Sequence, residues 1–139
     1  MRRILFDTNI ILDVLLDRKP HAEASARVWA AVEAGMVDGL ISAHAVTTIH
    51  YLIQKEMGAA KAKRIVAALL RVFAVAPVDG AVIQEAMRLP FSDFEDAVTA
   101  VAARLAACDY IVTRDPKGFR EAQVRPLTPE AAGPLLLKS

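Results

Sequence analysis

The sequence predicts an α/β fold, a three-layer α/β/α sandwich with a central parallel sheet of four to five short strands. Short apolar runs alternate with longer segments of helical periodicity, an order that builds a parallel sheet covered on both faces. The chain has 139 residues, of which 55% are hydrophobic and only 6% aromatic. This is enough for one core of small aliphatic side chains, so we expect a single domain over residues 1–139.

The predicted strands are short apolar runs, several of which end at a polar residue. They cover residues 4–6, 39–41, 74–78, 110–112 and 124–127. The first is expected to be buried on both faces because all three of its residues are apolar. Pro77 cannot donate a backbone hydrogen bond, which places the third strand at a sheet edge or makes this residue a strand end.

The predicted helices follow from apolar residues spaced three and four apart, with Gly, Pro or a capping residue at their ends. They cover about residues 10–16, 21–34, 43–57, 60–72, 79–89 and 93–107, and a last one begins at Thr128. The first of these helices is apolar on more than one face. It is therefore either deeply buried or covered by a partner, which suggests a homodimer.

The charge balance and the single cysteine indicate which partners and which cellular compartment to expect. The chain has 17 Lys and Arg and 16 Asp and Glu, a formal net charge of +1, so nucleic-acid binding would depend on local patches. Asp7, Asp13 and Asp17 interrupt the first apolar stretch. We therefore expect no secretory signal and no membrane span, and a soluble, cytoplasmic protein. Cys108 has no partner for an internal disulfide and is expected to be buried at a helix end.

Acids stand where predicted strands end or helices begin. Asp7 follows the first strand, Asp93 and Asp96 lie at a helix start, and Asp115 follows the fourth strand. The carboxyl ends of parallel strands meet at one sheet edge, where α/β proteins bind ligands, so we expect these carboxylates to converge. They can all stay ionised only beside a cation, and oxygen ligands select Mg²⁺ or Mn²⁺. Such an ion can activate water and stabilise charge on a phosphodiester.

Structural roles are the alternative for these acids. A helix N-terminus stabilises any nearby carboxylate, but Thr8 or Asn9 is expected to cap the first helix, which leaves Asp7 free for another role. Ser92 and Glu95 match a capping box, and this places Glu95 outside the site.

The predicted helix over residues 93–107 has a core stripe formed by Phe94, Ala97, Val98, Val101, Ala102 and Leu105. Asp96 points away from this stripe. Its neighbours there, Ala100 and Ala103, are small, so we expect something to approach that face closely.

Asp115 precedes a proline and has a turn residue as its alternative role, and Thr113 is expected to orient a carboxylate or cap the loop. Basic residues are expected to hold the substrate backbone, with ordinary solvated surface as the alternative. They are Lys55, Lys61, Lys63, Arg64, Arg114 and Lys117. The three histidines lack the spacing of a zinc site and are expected to have surface or partly buried roles. They are His21, His44 and His50.

Three segments, residues 4–9, 93–97 and 111–115 followed by Phe119, resemble the PIN domain in order and separation, and the resemblance covers nearly the whole chain. It implies a small α/β domain with a central parallel sheet, and many such domains are Mg²⁺- or Mn²⁺-dependent ribonucleases. Many bacterial members are the toxin of a VapBC-type toxin–antitoxin pair. RNA and an antitoxin protein are therefore the expected partners.

The resemblance also implies roles for individual residues. The metal-site acids would be Asp7, Asp96 and Asp115, with Asp93 as the fourth. The supporting polar residues would be Thr8, Asn9 and Thr113.

One position departs from the PIN pattern. The family usually carries a glutamate on the helix after the second strand, and counting from Ser42 this position falls on or near Thr48. A threonine hydroxyl forms hydrogen bonds but supplies no negative charge, and Asp93 is expected to compensate. Two functions therefore stay open, a metal-dependent endoribonuclease and a catalytically weak or inactive PIN-like module that binds RNA or protein. Phosphoryl transfer on Asp7 is disfavoured because Asn9 stands where a phosphatase would carry a second acid.

Overall fold

The computed structural model describes residues 1–137, with side chains described as far as Leu136. Within this range the strands are β1 (Arg3–Phe6), β2 (Asp38–Ser42), β3 (Ala74–Ala76), β4 (Tyr110–Val112) and β5 (Arg125–Leu127). The helices are α1 (Thr8–Leu15), α2 (Ala22–Glu33), α3 (Ala43–Met57), α4 (Ala59–Val72), α5 (Gly80–Met87), α6 (Phe94–Leu105) and α7 (Pro129–Leu137), with a 3₁₀ helix at Pro116–Phe119. No helix among residues 1–137 has the length and apolar character needed to cross a bilayer.

The five strands form one parallel sheet in the order β3-β2-β1-β4-β5, which confirms the predicted fold class. The strand β1 lies at the centre, where Leu5 is in register with Leu40 of β2 and Ile111 of β4. Pro77 follows β3, which is an edge strand, as its proline predicted. Because β1 is central, the residue that follows it lies in the middle of the sheet's carboxyl edge.

Helices cover both faces of the sheet. Successive side chains of β1 point to opposite faces, so this strand contributes to a core on each side. Ile4 and Phe6 pack into a core built with α1, α2, α3, α4 and α7. Leu5 packs on the other side against α6 and against Phe119 of the 3₁₀ helix. Cys108 lies buried in this second core just after α6, in agreement with its prediction.

The chain itself covers the apolar first helix. Ile10, Ile11 and Leu12 are fully buried, and α1 packs against α2 and α3. Of the two explanations for its unusual apolar surface, burial is therefore the one that the structure supports. The side chains of Ile10, Ile11 and Leu12 are therefore not available to a partner.

The helix α6 is buried on more sides than its predicted stripe indicated. Phe94 and Leu105 are 46% and 55% exposed, so their assignment to the core was wrong. Residues 97–103 are instead all buried, because α6 lies between the sheet and α5. The small side chains of Ala100 and Ala103 permit the close approach expected on that face, and the neighbour is the sheet.

Candidate metal centre

Asp7 lies at the carboxyl end of the central strand and is the N-cap of α1. Its backbone is still extended, and its Oδ1 accepts a hydrogen bond of 2.9 Å from the Thr8 amide. The expectation that Thr8 or Asn9 caps this helix was therefore wrong. Oδ2 accepts a hydrogen bond of 2.9 Å from the Thr113 hydroxyl. Both oxygens are thus held in place, and each keeps a further lone pair for a ligand.

Thr113 connects Asp7 to the loop that carries Asp115. Its side chain is buried, and its hydroxyl donates to Asp7 while accepting a hydrogen bond of 3.1 Å from the Asp115 amide. The adjacent strands fix this arrangement, since the Asp7 amide donates to the Val112 carbonyl over 2.9 Å. One hydroxyl therefore positions two of the predicted site acids relative to each other.

Asp93 and Asp96 occupy the N-terminus of α6. Asp93 is the N-cap, and its Oδ1 accepts a hydrogen bond of 3.0 Å from the Asp96 amide. The predicted capping box of Ser92 and Glu95 was wrong, because the helix begins one residue later than that pattern requires. The cap fixes the first turn and holds Asp96 toward the sheet edge.

The electrostatics of Asp96 show that the acids converge. Its pKa is raised from 3.8 to about 7, chiefly by burial and then, in decreasing order of effect, by the carboxylates of Asp93, Asp7, Asp115 and Glu95. Burial also raises the pKa of Asp7, although hydrogen bonds from Thr113 and Thr8 oppose this change. The carboxyl end of β1, the start of α6 and the loop after β4 thus bring their acids into one group.

Asp96 and Asp115 face a shared space beside Gly118. Asp115 precedes the 3₁₀ helix and is exposed. A Cβ placed on Gly118 would lie 3.0 Å from Oδ2 of Asp96 and 3.1 Å from Oδ2 of Asp115. The two Oδ2 atoms are therefore separated by at most about twice this distance. The missing side chain of Gly118 leaves the space beside both of them open.

Two members of the site were missed from the sequence. Glu95, assigned above to capping, raises the pKa of Asp7 and of Asp96 by its charge. His44, in the first turn of α3, lies near both Asp7 and Glu95, and burial lowers its pKa while these two carboxylates raise it. Its Nε2 is 3.5 Å from the Thr99 hydroxyl. The only local signal was the position of His44 just after β2, at the same sheet edge as Asp7.

Arg114, expected to hold substrate, contacts an acid for which the sequence predicted no site role. Its Nε lies 3.1 Å from Oδ2 of Asp13, a fully buried residue of α1, and Arg18 lies 3.7 Å from the other Asp13 oxygen. Neither oxygen accepts a well-aligned hydrogen bond from within residues 1–137, so ion pairing dominates. An acid inside an otherwise apolar helix was the signal that could have identified this pair.

The other predicted residues lie on α1, α3, α4 and the 3₁₀ helix. Thr48 is on the second turn of α3, and its hydroxyl donates over 3.4 Å to the His44 carbonyl of its own helix. Asn9 is exposed on α1, and Lys117 is exposed two residues after Asp115. Three further cations lie exposed on the first half of α4, without an ion pair inside residues 1–137. These are Lys61, Lys63 and Arg64.

The site fits a divalent cation that keeps most of its waters better than a cation held entirely by protein side chains. Among residues 1–137, no three His, Cys, Asp or Glu side chains form a ready-made metal cage. The four predicted acids also form no ion pair with any described Lys or Arg. The acids offer oxygen donors, their negative charges repel one another, and there is space beside Gly118. Proteins typically bind Mg²⁺ in such surroundings, through one or two carboxylates and several waters.

The chain is similar in sequence and in fold to known proteins. The chain is 26% identical over 133 residues to Ribonuclease VapC1 of Aquifex aeolicus (strain VF5), an alignment that covers 92% of this chain and 91% of that protein. The crystal structure of DNA-bound VapBC from Salmonella typhimurium has a TM-score of 0.69 at 16% identity, and covers 93% of this chain and 99% of the other.

A second similar structure is Mycobacterium tuberculosis VapC20, described as a sarcin–ricin loop cleaving toxin. It has a TM-score of 0.66 at 19% identity and covers 88% of this chain and 99% of the other. At such identities these two structures show a shared fold. A family model described as the PIN domain matches residues 3–117, most of the sequence. The chain therefore belongs to the PIN domain family.

Proposed function

We propose that this protein is a metal-dependent endoribonuclease that hydrolyses RNA phosphodiesters at the cluster of acids formed by Asp7, Asp93, Asp96 and Asp115. The observation that carries the proposal is the convergence of four acids on Asp96, whose pKa burial and neighbouring carboxylates raise to about 7. Inside residues 1–137 no cationic side chain pairs with these acids. A bound Mg²⁺ or Mn²⁺ would supply the neutralising charge, activate water and stabilise charge on the reacting phosphate.

In this proposal Asp7, Asp96 and Asp115 hold the cation, directly or through its waters, and Asp93 is the fourth acid. Thr113 fixes the orientation of Asp7 through its hydrogen bond, and the Thr8 amide does the same from the other side. Preorganisation of this kind reduces the rearrangement needed when substrate binds.

Hydrolysis of the phosphodiester is balanced without any cofactor beyond the cation. The oxygen of a water molecule forms a bond to phosphorus, and one ester P–O bond breaks. The attacking water gives up a proton, and the leaving oxygen takes up one. In this proposal Lys117, exposed two residues after Asp115, contacts a substrate phosphate. Further contacts to the RNA backbone come from Lys61, Lys63 and Arg64, which are exposed on α4.

We further propose that the protein is the toxin of a toxin–antitoxin pair and works in the cytoplasm. Its similarity to Ribonuclease VapC1 and to chains from VapBC complexes supports this proposal. A homodimer is the proposed assembly, supported by large apolar side chains that stay exposed on α3, α5 and α6. They include Tyr51, Met57, Ile83, Met87, Phe94 and Leu105.

Cleavage of RNA by the wild type, Asp7→Asn and Asp96→Asn, with Mn²⁺ or with chelator, tests the enzymatic proposal. We expect cleavage by the wild type with Mn²⁺, and a loss of about a hundredfold or more in either variant, as for other electrostatic catalytic groups. Glu130→Gln is the matched control, because Glu130 is an exposed acid in the first turn of α7. Equal, chelator-resistant cleavage by the wild type and Asp96→Asn would contradict the proposal.

A second candidate function is a catalytically weak PIN-like module that binds RNA or protein. It is favoured by Thr48, which adds no charge and whose hydroxyl bonds to its own helix. RNA binding that is insensitive to chelator and to Asp96→Asn, without cleavage, would support this candidate. If the missing glutamate is what weakens the site, Thr48→Glu should increase Mn²⁺ affinity.

A further inference from the structure

We propose that Gly118 is a positioning residue for the metal centre, because its missing side chain keeps open the space between Asp96 and Asp115 that the cation and its waters need. The inference rests on the proposed function and identifies a residue of this site that carries no charge and donates no side-chain ligand.

The space is defined by two carboxylate oxygens. A Cβ on Gly118 would lie 3.0 Å from Oδ2 of Asp96 and 3.1 Å from Oδ2 of Asp115, both closer than ordinary carbon–oxygen contacts. The next nearest atom, Cγ of Asp115, is 3.7 Å away. A methyl group here would therefore press on one carboxylate oxygen of each acid, and it would exclude water from the space beside both oxygens.

Backbone conformation does not require glycine at this position. Gly35 and Gly58 have φ values of +73° and +88°, where side chains are strained, but Gly118 has no positive φ. Gly39 is restricted by core packing, since its Cβ would meet Val32 and Phe73 at 2.8 Å. At Gly118 the restriction comes from the acids of the candidate site alone.

The backbone around Gly118 is anchored, so it cannot easily move away from the acids. Its amide donates a hydrogen bond of 3.1 Å to the Asp115 carbonyl. The next residue, Phe119, is buried and its ring packs edge-on against Phe91 with centroids 6.4 Å apart. A methyl group on Gly118 must therefore displace the carboxylates, which are the groups that the cation contacts.

Mg²⁺ and Mn²⁺ bind carboxylate oxygens at a little over 2 Å and retain several waters. An ion shared by Asp96 and Asp115, together with its waters, needs the region that the methyl group would occupy. Gly118→Ala changes neither the net charge nor the number of carboxylates. A change in cation affinity in this variant would therefore reflect space and not charge.

Calorimetric titration of Mn²⁺ into the wild type, Gly118→Ala, Gly133→Ala and Asp96→Asn tests the inference, with circular dichroism melting as a check on folding. Gly133→Ala is the matched control, because Gly133 also has no positive φ and a Cβ there would meet nothing within 4 Å. We expect Gly118→Ala to weaken Mn²⁺ binding by about tenfold or more, the scale seen when groups around a metal site are altered. Gly133→Ala should bind as the wild type does.

The outcomes separate this inference from the function beneath it. Equal Mn²⁺ affinity of the wild type and a folded Gly118→Ala would overturn the inference and leave the metal centre standing. Absence of Mn²⁺ binding to the wild type would overturn the metal centre and the inference together. Weakened binding by Gly118→Ala at an unchanged melting temperature would support the inference.

Discussion

Asp13 and Asp96 are acids with opposite electrostatic surroundings. Asp13 is fully buried in α1, where Arg114 and Arg18 lie 3.1 Å and 3.7 Å from its oxygens. Asp96 is half-buried at the start of α6, where its neighbours are other carboxylates, and these raise its pKa together with burial. The chain supplies its own cations for the first acid and, among residues 1–137, supplies none for the second.

The difference separates an acid with a structural partner from one that we propose binds a cation. When one partner of a buried carboxylate–arginine pair is removed, the protein loses stability, because an uncompensated charge stays behind. A group of unpaired carboxylates repels itself until a cation arrives from solution. Replacing the acid should therefore have opposite effects on stability at the two sites.

The largest expected effect is at the paired acid. Asp13→Asn should lower the free energy of unfolding by about 3 kcal/mol, because it leaves the guanidinium of Arg114 without its partner in a partly buried position. Urea unfolding followed by circular dichroism measures this change. Glu23→Gln is the control, since Glu23 is 82% exposed in its ion pair with Arg27 and should change stability by less than about 0.5 kcal/mol. Equal effects of the two variants would remove the distinction between buried and surface pairs.

The next effect is ligand stabilisation at the unpaired acids. Mn²⁺ at a hundred times its dissociation constant should raise the free energy of unfolding of the wild type by about 2.7 kcal/mol, since it binds the folded state only. The increase should disappear in Asp96→Asn and persist in Asp13→Asn, because of these two acids only Asp96 holds the cation in the proposed function. Thermal melting with and without Mn²⁺ measures it. Persistence of the full increase in Asp96→Asn would contradict this assignment.

A smaller effect of opposite sign is expected without metal. Asp96→Asn should stabilise the metal-free protein, because it removes one charge from a group of like charges. Solvent screening at this half-buried position limits the gain to about 0.5 kcal/mol. Urea unfolding in the presence of chelator measures the gain, and a loss of stability would show that Asp96 has a structural partner.

The smallest effect is the pH dependence of that gain. The pKa of Asp96 is raised from 3.8 to about 7, so between these values the folded state retains a proton that the unfolded state releases. The contribution of Asp96 to stability therefore falls as pH rises through this window. In chelator, the stability advantage of Asp96→Asn should be larger at pH 8 than at pH 5. The lowered pKa of His44 acts in the opposite direction, but both proteins share it.

Much of the fold followed from local pattern. Strand β1 was predicted because three apolar residues precede Asp7, and its central position agrees with the burial expected of them. Helix caps were less predictable. Asp7 caps the helix for which Thr8 or Asn9 was predicted, and Asp93 caps the helix for which Ser92 was predicted. Neighbouring residues can all cap in principle, and the choice depends on where the backbone leaves the extended conformation.

The sequence by itself determined the alternation of strands and helices, and with it the sheet edge where Asp7, Asp96 and Asp115 were expected. Only the tertiary structure decided which groups lie beside these acids. It paired Arg114 with Asp13, brought His44 and Glu95 near these acids, and placed Gly118 close to two carboxylates. The physical reason is that periodicity records which face of an element is buried. Distances between elements far apart in the chain depend on how the helices pack against the sheet.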